Sequence, residues 1–108
     1  IRNYSHLHGF LPKLGWFAGN PQQVPVDFGE IISCIAPRPL MIISPTLDRY
    51  AELNSVKTTI KSVANVYNLF GQPNRLVFQT PLEINRMTPV MEEEILNFYS
   101  RIVRERKP

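Results

Sequence analysis

The spacing of apolar positions changes along this chain, and each change predicts an element. From Ser55 to Phe70, Val56, Ile60, Val63, Tyr67 and Phe70 recur at helical intervals, with Lys57 and Lys61 between them. That is the pattern of an amphipathic helix with one buried face. Asn54 or Ser55 can cap its start, Gly71 is a natural residue just past its end, and Pro73 prevents continuation. Leu40 to Ser44 is instead almost uninterruptedly apolar, which predicts a strand buried on both faces, as in parallel sheets. Arg75 to Thr80 predicts a second strand. Met91, Ile95, Phe98 and Ile102 return to helical spacing and predict the buried stripe of a last helix. Thr88 caps that last helix, Pro89 occupies its first turn, and Glu92, Glu93 and Glu94 sit at its positive pole. Upstream, Asp27-Phe28-Gly29-Glu30 has the form of a capping box. It predicts a short helix with Ile31, Ile32 and Ile35 inward, bounded by Pro37 and Pro39.

The order is helix, strand, helix, strand, helix over residues 27–108. The fold class is α/β, a βαβα arrangement with a parallel pair of strands and flanking helices. Two parallel strands alone leave two edges and both faces open, which points to part of a larger sheet. Residues 1–26 show no sustained period. They hold His6 and His8, three glycines, and Tyr4, Phe10, Trp16 and Phe17. So many apolar residues in an irregular segment predict a connecting loop packed on something else. The chain opens at Ile1 rather than a methionine, which fits a piece of a longer parent.

Composition narrows the classes. The chain is 44% hydrophobic and 19% charged, ordinary for a globular domain. Its formal net charge is +3, and Arg101, Arg104, Arg106 and Lys107 crowd the C-terminus. They read as a solvated helix end meeting the negative pole of the dipole. No basic stripe interleaved with aromatics occurs elsewhere, so nucleic acid is not an expected partner. No apolar run approaches a membrane span. Cys34 is the single cysteine and lies among Ile31, Ile32 and Ile35, the setting of a small core residue. No cofactor or metal set is expected: His6 and His8 form a His-x-His pair without a third ligand nearby in the sequence.

The chemistry centres on Ile35 to Tyr50. A proline pair is followed by an apolar strand, and Asp48 falls just beyond its end. Ligands and catalysis gather outside the carboxyl ends of strands in open α/β sheets. Ile35-Ala36-Pro37-Arg38-Pro39-Leu40-Met41-Ile42-Ile43, with Asp48-Arg49 after it, resembles the C-terminal part of α/β-hydrolases, in the acetyl xylan esterase and dienelactone hydrolase branch. Gly71-Gln72-Pro73-Asn74-Arg75-Leu76, the strand after it, and His8-Gly9-Phe10-Leu11-Pro12-Lys13-Leu14-Gly15-Trp16-Phe17 match the same pattern. The resemblance implies a serine hydrolase with Asp48 at the triad acid position. The aspartate would fix the tautomer of a histidine that takes the serine's proton. The parent's substrate would be a small-molecule or carbohydrate ester.

Two departures from the pattern follow. No Gly-x-Ser-x-Gly elbow occurs in the chain, so the nucleophile is expected upstream of Ile1. The loop after the last strand, where the resemblance places the triad histidine, reads Glu83-Ile84-Asn85-Arg86-Met87. An amide at Asn85 cannot act as a general base. Asn85 is thus a degenerate histidine position, a substrate-contacting amide, or an ordinary loop residue. His8 is the alternative base within the chain. Asp48 itself could equally cap local N–H groups in a turn. Arg38 and Arg49 could meet a substrate carboxylate, or Arg38 could satisfy carbonyls at the strand entrance and Arg49 pair locally. Arg86, beside Asn85, could face the same cleft or serve local structure. Trp16, Phe17 and Tyr50 could line a pocket or fill the core. A non-catalytic remnant, self-associating or pairing with the N-terminal part of its parent through an open sheet edge, is the reading from a different class.

Overall fold

The computed structural model of the protein describes Phe17 and residues 19–106. The elements are α1 (Phe28–Ser33), β1 (Leu40–Ile43), α2 (Leu53–Leu69), β2 (Leu76–Gln79) and α3 (Pro89–Arg106), with short 3-10 turns at Pro21–Gln23 and Pro73–Arg75. β1 and β2 pair in parallel, Leu40 opposite Leu76 through Ile43 opposite Gln79. The α/β arrangement predicted from the sequence is therefore present: a two-stranded parallel sheet with helices around it. His6, His8, Trp16 and Lys107 lie outside the described residues.

Local chemistry explains the element ends. Asp27 Oδ1 accepts from Phe28 N–H at 2.7 Å, and Glu30 Oε2 accepts from Asp27 N–H at 3.2 Å. This completes the capping box of α1, a motif whose cap contributes about 1 kcal/mol. The Phe28 amide also holds the Asp27 carboxyl below its ordinary pKa. α1 lies against α2 where Gly29 has no side chain: a Cβ there would stand 3.6 Å from Thr59 Cγ2. At the other end of α2, Gly71 takes φ +67°. Its N–H donates to Asn68 O at 2.9 Å, and Gln72 N–H donates to Tyr67 O at 3.0 Å. These two bonds form a Schellman motif, and the left-handed φ is what selects glycine. α2 begins earlier than its spacing predicts, at Leu53. Its N-cap Glu52 makes no capping bond from its side chain to the backbone, and Ser55 Oγ donates to Glu52 Oε2 at 2.6 Å instead.

The core is small. Among the described residues Ile60, Val63, Tyr67 and Met91 are its buried apolar residues, and Val63 and Tyr67 are fully enclosed. Phe70, expected on the same buried face of α2, is exposed because it is the C-cap where the chain turns away. Tyr67 Oη donates to Arg38 O at 2.6 Å, tying α2 to the entrance of β1. Arg75 Nη1 donates to Pro37 O at 3.3 Å beside it. The Ala36–Pro37 peptide bond in this corner is cis. The strands are only half-buried rather than buried on both faces, because α3 stands off the sheet across an open cleft instead of closing over it. Of the stripe expected to be buried on α3, only Met91 is; Phe98 and Ile102 are half-buried and Ile95 is exposed, because the helix stands off the sheet. An open cleft of about 620 Å³ separates the helix from the sheet, lined by Met41, Val77, Gln79, Glu94, Phe98 and Arg101 among others.

Two expectations about α1 are corrected. Ile31 is exposed rather than inward, and Cys34 is exposed rather than a core residue. α1 is only six residues long, and Cys34 is its C-cap at the start of a turn. Neighbours in sequence at that point diverge in space, so an apolar context does not imply burial. The Cys34 thiol donates to Glu30 O at 3.4 Å.

Candidate functional site

The carboxyl ends of β1 and β2 carry two loops whose backbones stay joined past the strands. Ser44 N–H donates to Gln79 O at 2.9 Å, Thr46 N–H to Pro81 O at 2.9 Å, and Leu47 N–H to Glu83 O at 3.0 Å. The pairing carries the first loop to the residue before Asp48 and the second to two residues before Asn85. The two positions singled out by the sequence therefore belong to neighbouring, directly bonded loops on one edge of the sheet.

Asp48 is half-buried. Its N–H donates to Pro45 O at 3.3 Å, closing a turn, and its Oδ1 accepts from Tyr50 N–H at 2.9 Å. That is an Asx turn, which fixes the carboxylate's orientation by a local bond. Its second oxygen takes no hydrogen bond among the described residues. A carboxylate held through one oxygen and open at the other can orient an imidazole N–H, the part a triad acid plays. Asn85 is exposed on the second loop.

The arginines have local work. Arg86 Nη2 donates to Glu83 Oε2 at 2.8 Å, and Ile84 N–H donates to Glu83 Oε1 at 2.9 Å. The Arg86 bond, then the Ile84 amide, hold the Glu83 carboxyl below its ordinary pKa, and Glu83 raises that of Arg86. This pair braces the loop around Asn85. Glu83 carries no weight in a search for triad residues; its three-residue spacing from Arg86 is the signal that could have found it. Arg49 hydrogen-bonds the Tyr50 hydroxyl and lies 4.7 Å from that ring's centroid, a local contact. Tyr50 is 62% exposed, so it does not fill the core, whereas Phe17 is half-buried. Arg38 is exposed, and the carbonyls at the entrance of β1 are served by Tyr67 and Arg75 instead.

Thr46 Oγ1 is buried with no hydrogen-bond partner among the described residues. A depression of about 470 Å³ lies beside the second loop, between Pro81, Leu82, Glu83 and the start of α3 at Thr88 and Val90. Neither Asp48 nor Asn85 lines it. No group of three His, Cys, Asp or Glu side chains suited to a metal gathers among the described residues, and none of their helices is long and apolar enough to cross a membrane.

No protein-family model, curated protein or solved structure matches the chain.

Proposed function

We propose that this chain is the acid-bearing, C-terminal part of an α/β-hydrolase-like fold whose complete form cleaves carboxylic esters, carbohydrate esters among them. The observation that carries the reading is the stitched carboxyl edge: Leu47 N–H on Glu83 O sets the Asp48 loop beside the Asn85 loop. In the proposed reaction a serine outside this chain attacks the acyl carbon. A histidine takes the serine's proton and returns it to the leaving alcohol, and water then releases the acyl group. Asp48 holds that histidine's tautomer and stabilises the imidazolium. His8 is the candidate base within the chain, because Asn85 has no proton to exchange near neutral pH.

Asn85 favours a second reading, a fold that retains the acid loop without catalysis. Ester turnover bears on both. The 108-residue chain is expected to cleave p-nitrophenyl acetate no faster than solvent. Turnover well above that background, abolished by Asp48→Ala, contradicts a nucleophile outside the chain. A longer parent with a Gly-x-Ser-x-Gly elbow and measurable turnover supports catalysis; a parent without either supports the second reading.

A further inference from the structure

α3 carries two apolar stripes. Met91, Ile95, Phe98 and Ile102 belong to the first; Met91 is buried, Phe98 and Ile102 are half-buried, and Ile95 is 37% exposed. The second is displaced from it by one residue at every step, about 100° around the helix. It reads Glu92, Leu96, Tyr99, Val103 and Arg106, an unbroken alternation of four- and three-residue steps. Leu96 is 65% exposed, Tyr99 64% and Val103 36%. Such a repeat is the seam by which one helix packs along another. It faces out, while the first stripe faces the cleft above the sheet.

The ends of the second stripe identify its occupant. Glu92 stands at the amino end and Arg106 at the carboxyl end, and neither makes an ion pair among the described residues. Tyr99 lies midway, seven positions from each (99 − 92 and 106 − 99). A two-fold axis passing by Tyr99 would run two copies of α3 antiparallel, with each Glu92 opposite Arg106 of the other copy. Leu96 and Val103 would then fill the layers between. A parallel pair would set Glu92 on Glu92 and Arg106 on Arg106, and would also align the helix dipoles. The charge pattern is thus self-complementary in one orientation only, as an isologous interface requires. We propose that the outward stripe of α3 is a docking surface for a second copy of this chain, packed antiparallel about Tyr99. The proposal needs neither nucleophile nor base, and stands apart from the hydrolase reading.

Analytical ultracentrifugation of the 108-residue chain at low salt tests it. A reversible monomer–dimer equilibrium is expected. Glu92→Arg or Arg106→Glu alone puts like charges at both ends of the seam and is expected to weaken the dimer about tenfold. Mixing the two single variants restores association, as does combining both changes in one chain. In a parallel pair a single exchange would only replace one like-charged contact with another and leave the dimer unchanged, so the loss in the single variants separates antiparallel from parallel pairing. Circular dichroism confirms that α3 stays helical in each variant. A chain that is monomeric at about 100 µM, or single exchanges that leave the dimer constant unchanged, overturns the proposal. A combined variant as weak as the single ones overturns the antiparallel arrangement.

Discussion

In a parent chain that carries the nucleophile, Asp48→Asn is expected to lower kcat about ten-thousandfold, with KM little changed. The size of the loss follows from the acid's role. An aspartate accepts the imidazole Nδ1 proton and so leaves Nε2 free to take the serine's proton. An asparagine amide can donate in its place and stabilise the wrong tautomer. It also removes the charge that offsets the imidazolium in the transition state. The turn itself survives, because the Asn side-chain oxygen can still accept the Tyr50 N–H that now holds Asp48 Oδ1 at 2.9 Å. Activity is thus expected to collapse while the melting temperature holds. A loss under about tenfold would mean that Asp48 only shapes the turn.

Tyr67→Ala carries the largest expected effect on stability, about 3–5 kcal/mol by chemical denaturation. Among the described residues Tyr67 is one of two fully enclosed side chains, and the other, Val63, is one turn before it on α2. Removing the ring empties the centre of a core with few buried residues to collapse into it. It also takes the donor from Arg38 O at the entrance of β1. Small domains have only about 5–15 kcal/mol in all, so the variant is expected to be largely unfolded at 37 °C. Tyr67→Phe separates the two effects: it keeps the ring and loses only the hydrogen bond, at about 1 kcal/mol. Burial also pushes the Tyr67 phenol above its ordinary value of 10.0. The stability linked to this shift is fully present below about pH 10 and is lost as the pH rises through the folded-state value. Tyr67→Phe should lack that alkaline loss. A Tyr67→Ala variant within about 1 kcal/mol of the original would contradict the placement of the core.

Features governed by nearby residues were legible before the fold was known. The capping box of Asp27 and Glu30 and the glycine that ends α2 each depend on contacts within a few positions. So did the two strands, whose apolar runs are bracketed by prolines. What the sequence did not reveal depends on distant partners. Arg75 reaches Pro37 O across 38 positions, so local reasoning assigned those carbonyls to the nearer Arg38. Cys34 is exposed despite its apolar neighbours, because a short helix turns adjacent residues in different directions. The site divides in the same way. Asp48 was legible as a residue just past a strand, and its Asx turn is local. The approach of the Asn85 loop rests on main-chain bonds from Thr46 and Leu47 to Pro81 and Glu83, which no side chain announces. The apolar spacing of α3 predicted its inner stripe and hid the outer one, since both share the same repeat.

Whether the Asp48 carboxylate reaches position 85, as the proposed acid and base positions require, can be tested in the 108-residue chain without a nucleophile. Asn85→His places an imidazole on the second loop, and its titration can be followed by NMR. Arg49 and Arg86 nearby favour the neutral ring, so the comparison is made between Asn85→His alone and Asn85→His with Asp48→Asn. An Asp48 carboxylate within reach stabilises the imidazolium and raises its pKa relative to the double variant, by roughly a tenfold change in the protonation constant. The account predicts that difference; an imidazole that titrates identically in both backgrounds would contradict it.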